Sequence, residues 1–157
     1  MVVEIPKGSR NKYEADANGV IWLDRMLFTA TQYPEDYGYI PGTLAADGDP
    51  LDIMVLHSGP TFPGCHIEVR PVGMFVMRDE EGTDAKVLAV PSHDPRAAGQ
   101  TELSDIPDHI LNEIGHFFEI YKSIEPGTFS EMVGWRGRAE AEGALQQCRQ
   151  RFASPAG

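Results

Sequence analysis

The chain has 157 residues, 41% of them hydrophobic, and a formal net charge of −11 from 24 Asp+Glu against 13 Lys+Arg. That length and apolar content suit a single domain, residues 1–157, with one buried core, and exclude a disordered chain. The acidic balance excludes a general nucleic-acid or anionic-membrane surface and makes metal cations the natural partners.

The opening "MVVEIPKGSR" brings in Glu4 and Lys7 at once and lacks the apolar run of a signal peptide. No later run approaches the ~18 apolar residues of a membrane span. Cys65 and Cys148 stand in no ligand pattern, and two cysteines make no disulfide framework, so a cytoplasmic protein is expected.

In chain order, "VVEI", "NKYEAD" and "GVIWLD" read as strands, being rich in Val, Ile and aromatics between turn residues. The stretch "QYPEDYGYIPG" crowds Tyr33, Tyr37 and Tyr39 together and suits either core packing or a tyrosine-lined pocket. Next come strands "DIMVLH" and "HIEVRPVGMFVM", the latter bent at Pro71 and Gly73. "RDEEGTDAKVLAV" predicts a hairpin with Gly82 at its tip, Asp79 opposite Asp84, and Asp84 and Lys86 on one strand face.

The spacing of Ile106, Ile110, Ile114, Phe117, Tyr121 and Ile124 predicts a helix capped by Ser104 or Asp105 and stopped by Pro126-Gly127. "GTFSEMVGW" is a late strand, and Ala141, Leu145, Cys148 and Phe152 trace the stripe of a C-terminal helix. The sum is an α+β fold, mainly β, with a closed or nearly closed barrel and two helices packed on it.

Two short stretches, residues 47–52 and 79–84, concentrate carboxylates well above the average set by 24 Asp+Glu in the whole chain. In "AADGDPLDIMVL", Asp47 and Asp49 can share one face of an extended chain, with Asp52 entering a strand after Pro50, so that all three converge. A calcium loop of the EF-hand type is excluded, because its sixth and twelfth positions fall on Asp52 and Ser58 instead of Gly and Glu. Clustered carboxylates repel one another and call for hard cations such as Mg²⁺, Mn²⁺ or Ca²⁺. Removing the charge of Asp52 is accordingly expected to stabilise the metal-free protein. Phosphate loops, dinucleotide fingerprints and serine elbows are absent. The five histidines show no ligand spacing, and His109 and His116 share a helix face that suits packing or an interface.

The segments "EIPKGSRNKYE", "DRML", "YPEDYGYIPGTL", "DGDPLD", "RPVGMF", "DEEGTDAKVLAVP" and "HFFEIYK" occur in an order that closely resembles the bacterial soluble family I inorganic pyrophosphatases. The resemblance implies an OB-like five-stranded β-barrel, a homohexamer, and hydrolysis of pyrophosphate to two phosphates with several Mg²⁺ ions. It also implies Mn²⁺ or Zn²⁺ as substitutes, and Ca²⁺ is expected to inhibit because its larger, looser shell misplaces the attacking water. By position, Asp47, Asp52, Asp79, Asp84, Glu4 and Glu14 match metal ligands. Lys12, Arg25, Tyr37, Lys86, Tyr121 and Lys122 match phosphate-binding residues, and Asp49 or Asp84 matches the general base. The chain departs from the family at Thr128 and Glu131, where lysines are common, and at Glu35 and Asp36, which add charge beside the tyrosines. A non-catalytic OB barrel binding single-stranded nucleic acid or oligosaccharide is the rival fold-level reading, and the acidic charge opposes it. A cation buffer without turnover is the other.

Overall fold

The computed structural model describes residues 1–154; the last three residues of the predicted domain lie outside the described residues. Eight strands and two α-helices follow one another as β1 (Val2–Ile5), β2 (Asn11–Ala15), β3 (Ile21–Met26), β4 (Asp36–Tyr39), β5 (Asp52–Val55), β6 (Val69–Asp79), β7 (Gly82–Pro91), α1 (Asp108–Ile120), β8 (Ser130–Gly137) and α2 (Arg138–Ala153). All the predicted strands are present, "VVEI" with the same ends and the others with shifted ends. The fold is mainly β with two helices, as expected.

Hydrogen bonding does not form the expected closed five-stranded barrel. Six strands pair in the order β1-β4-β5-β7-β6-β8, while β2 and β3 pair only with each other. The strand missing from the sequence reading is β4, whose Asp36 and Gly38 break the apolar pattern. It runs between β1 and β5 because Asp36 is fully buried yet satisfied, accepting from the Lys7 amide at 2.8 Å and the Thr61 hydroxyl at 2.9 Å.

Gly38 is required where β4 meets β1, since a Cβ there would lie 2.0 Å from the Val2 carbonyl oxygen. A backbone atom cannot step aside without opening the ladder. Gly38→Ala is therefore expected to cost about 3 kcal/mol, read as a lower urea midpoint at unchanged slope.

Strands β5 and β7 read as continuous apolar runs because both of their faces are covered. Met54, Leu88 and Val90 face a core shared with Phe75, Ile114, Phe117 and Phe118, on the α1 side. Ile53, Val55, Val87 and Ala89 face the other way, against Cys148 and Leu145 of α2. Phe152, predicted to belong to that stripe, is 56% exposed.

Helix α1 is shorter than the periodicity suggests, starting after Pro107 and ending at Ile120, with Tyr121 as its C-cap. Asp105 is occupied upstream, accepting from the amides of Thr101 and Glu102 at 2.9 and 2.8 Å. Ile106 is buried ahead of the helix, and Ile124 is exposed in the turns that follow it. The bend predicted in β6 is there, as a register shift between Pro71 and Gly73. In the β6–β7 hairpin the turn is Glu80-Glu81, Asp79 faces Gly82 and Asp84 faces Met77, so the two aspartates are offset and not opposite.

Candidate active site

The α1-side face of the sheet changes character at the strand ends. Along β7 the alternation Val90, Leu88 continues to Lys86 and Asp84; along β5, Met54 leads to Asp52; along β6, Phe75 and Met77 lead to Asp79. The parallel register sets Asp52 beside Lys86. The apolar core thus runs out into carboxylates and a lysine.

Lys86, with a side chain only 4% exposed, donates from Nζ to Asp52 Oδ2 at 2.8 Å, Asp84 Oδ2 at 2.7 Å and the Tyr37 hydroxyl at 2.8 Å. The Tyr37 hydroxyl in turn donates to Asp52. The ammonium lies 5.1 Å from the ring centroid of Tyr37 and 5.4 Å from that of Phe118. Burial opposes the charge on Lys86, but Asp52 and Asp84 overcome it and hold the pKa above the ordinary lysine value. Burial also pushes the Asp84 carboxyl up, and the neighbouring Asp52 and Asp79 add to this.

A second lysine is held the same way. Lys122, buried just after α1, donates to Asp79 Oδ2 and Glu80 Oε1, both at 2.9 Å. Adjacent Tyr121 has its hydroxyl pKa raised by burial against the pull of Lys86 and Lys122, and its ring centroid lies 5.7 Å from the Lys122 ammonium. On the β2–β3 hairpin, Lys12 and Arg25 are cross-strand partners. Lys12 pairs with Glu14 and with Asp24 at 3.1 Å, and Arg25 pairs with Asp24 and with Glu125.

Glu4, on β1, accepts from the Ala15 amide at 2.8 Å. Burial, with Asp52 and Glu14 nearby, raises its pKa from an ordinary 4.5 to about 7. The folded protein therefore binds more protons than the unfolded chain between those values, and stability falls as pH rises through that window. Gln keeps the acceptor and removes the charge. In EDTA, Glu4→Gln is expected to be about 1 kcal/mol more stable than the parent at pH 8 and no more stable below pH 5, measured by thermal unfolding.

Asp47 and Asp49 are exposed at the rim. The Asp49 amide donates to Asp47 Oδ1 at 3.0 Å, the hydrogen bond of an Asx turn. Among the described residues no group of three or more His, Cys, Asp or Glu is gathered as a metal cage. Oxygens of Asp52, Asp84 and Asp79 are instead turned onto Lys86 and Lys122. The donor chemistry still fits a hard divalent cation: burial raises the carboxyls of Glu4, Asp49 and Asp84, and the neighbouring Asp52 carboxylate adds to all three.

Glu80, Asp24, Glu125 and Phe118 were not picked out from sequence. Glu80 lay inside an acidic stretch already noted and Asp24 directly precedes Arg25, whereas nothing local marks Glu125. The charges at Glu35 and Asp36 are absorbed: both are buried, and Glu35 pairs with Lys7 at 3.2 Å. Thr128 donates to the carbonyls of Lys122 and Glu125, and Glu131 pairs with Arg78 on the surface. His109 and His116 are exposed on α1.

Lysines, an arginine and tyrosines interleaved with carboxylates at the end of a sheet form a site suited to a multivalent anion accompanied by cations. The family model described as inorganic pyrophosphatase matches residues 1–153. The inorganic pyrophosphatase of Streptomyces coelicolor is 51% identical over 158 residues, covering 100% of this chain and 97% of that protein. That of Leifsonia xyli is 54% identical over 147 residues, 93% and 90% of the two chains. The crystal structure of inorganic pyrophosphatase from Thermus thermophilus superposes with a TM-score of 0.96 at 47% identity, covering 98% of this chain and 90% of that one. The chain belongs to the soluble family I inorganic pyrophosphatases and is an enzyme of that family.

Proposed function

We propose that the chain hydrolyses pyrophosphate to two phosphates by direct in-line attack of water, with Mg²⁺ as its cofactor. The observation that carries this reading is the Lys86 cluster, in which one buried ammonium and one phenol are held against two carboxylates. Asp47, Asp52, Asp79 and Asp84, helped by Glu4 and Glu14, would hold the cations. When bound, Mg²⁺ lowers the pKa of a water and offsets phosphate charge.

Lys12, Arg25, Tyr37, Lys86, Tyr121 and Lys122 bind and orient the two phosphoryl groups. A new bond forms between the water oxygen and one phosphorus while the bridging P–O bond breaks, and the bridging oxygen leaves on the second phosphate. Asp49 takes the water's proton. Among the described residues its carboxyl makes no ion pair, and its pKa is raised by burial and by Asp47 and Asp52, whereas Asp84 is committed to Lys86. No covalent intermediate is needed. Lysine donors stabilise the charge on the departing phosphate.

From the same resemblance, we read the working form as a cytoplasmic homohexamer that accepts Mn²⁺ or Zn²⁺ in place of Mg²⁺. Among the described residues no helix is long and apolar enough to cross a membrane. Phosphate release from pyrophosphate tests the function. Exchanging Mg²⁺ for Ca²⁺ is expected to lower turnover about tenfold or more, and pyrophosphate left intact in Mg²⁺ would overturn the reading.

A further inference from the structure

We infer that Glu125 is a positioning residue for the phosphate-binding arginine, Arg25, and couples the two halves of the anion site. The inference rests on the proposed role of Arg25. Its basis is a bidentate pair: Arg25 Nε and Nη2 donate to Glu125 Oε1 and Oε2, each at 3.0 Å, across 100 residues of sequence.

The need for such a link follows from topology. Lys12 and Arg25 sit on a hairpin that pairs with no strand of the main sheet. A two-stranded hairpin alone is marginally stable, so its aim depends on side-chain and loop anchors. Tyr121 and Lys122 sit on the turn after α1, and Glu125 belongs to that same turn, its amide donating to the Lys122 carbonyl at 3.0 Å. Thr128 closes the turn from below, its hydroxyl donating to the carbonyls of Lys122 at 2.9 Å and Glu125 at 3.1 Å. A shift of Glu125 therefore moves Lys122 with it. The Glu125–Arg25 pair ties one lysine-bearing element to the other.

The geometry also separates clamping from binding. Glu125 occupies the Nε/Nη2 edge of the guanidinium and leaves Nη1 outside the clamp. Nη1 is paired with Asp24, which also holds Lys12, so a phosphate reaching Arg25 would exchange with Asp24 and leave the clamp in place. Glu125 is 10% exposed and Arg25 30%, so water competes little for the clamp. Both oxygens of Glu125 are committed to Arg25, which leaves it neither a proton carrier nor a free metal ligand.

A double-mutant cycle on the full-length protein tests this. Glu125→Ala is expected to raise KM for pyrophosphate about tenfold with a smaller change in kcat, and Glu125→Gln, which keeps the shape and one acceptor, to fall between it and the parent. In an Arg25→Ala background, Glu125→Ala is expected to change kcat/KM no further, because the residue it positions is gone. Effects that multiply, or an unchanged KM in Glu125→Ala, would overturn the inference. Binding of inorganic phosphate by calorimetry reads the clamp without turnover and so separates its failure from failure of the pyrophosphatase reading. A roughly tenfold weaker affinity in Glu125→Ala, with Glu125→Gln about threefold weaker, supports it, and parental affinity in Glu125→Ala refutes it.

Discussion

Asp52→Asn is expected to lower phosphate release from pyrophosphate by about a thousandfold while making the folded protein somewhat less stable. Asp52 carries two duties in the structure. It is a candidate cation ligand, and it accepts hydrogen bonds from Lys86 at 2.8 Å and from Tyr37. Considered only as one of several crowded carboxylates, Asp52 should be a burden on the metal-free protein. The structure reverses that expectation, because the charge of Asp52 is matched by a buried ammonium. Asparagine keeps a hydrogen-bond acceptor but leaves Lys86 with Asp84 as its sole anion among the described residues. A loss of about 1.5 kcal/mol in urea unfolding in EDTA is the expected size. A variant that turned over at the parental rate would remove Asp52 from the site, and one that melted higher would show that repulsion dominates after all.

The second large effect is expected at Lys86. Lys86→Met removes the positive charge from the middle of the cluster and leaves Asp52, Asp84 and Tyr37 facing one another. Breaking a buried pair by deleting one partner costs about 3 kcal/mol, because the remaining charges lose their compensation. The cost should depend on pH with a definite sign. Without the ammonium, the buried Asp84 carboxyl, already raised, takes a proton more readily in the folded state than in the unfolded chain, so stability of the variant falls as pH rises above the ordinary carboxylate range. Turnover should fall about a thousandfold as well, since the same ammonium is proposed to bind a phosphate oxygen. Thermal unfolding at pH 5 and pH 8 checks the first point. A variant as stable as the parent at pH 8 would mean that the cluster is better hydrated than its burial implies.

The parts of this molecule visible from sequence are those where a local pattern carries the structure. Runs such as "DIMV" and "KVLAV" announce strands through their β-branched residues, and the spacing of two between Asp84 and Lys86 puts both on one face, as the 2.7 Å contact bears out. Strand β4 was not visible, because its fitness depends on partners elsewhere: Lys7 and Thr61 for Asp36, and the β1 backbone for Gly38. The open ladder was equally hidden, since closure depends on which strands pair and strand propensity does not encode partners. In the site, the lysines and acidic stretches could be named one by one. Their mutual neutralisation, Lys86 with Asp52 and Lys122 with Asp79 and Glu80, is a tertiary fact, and so is the placement of Glu125 beside Arg25.

The most direct measurement of the central claim is phosphate release from pyrophosphate followed in one sample through Mg²⁺, then excess EDTA, then Mg²⁺ restored. The account predicts turnover that stops on chelation and returns on re-addition, with the fold unchanged throughout by circular dichroism. Release that persists in EDTA, or none at all from folded protein in Mg²⁺, would contradict it.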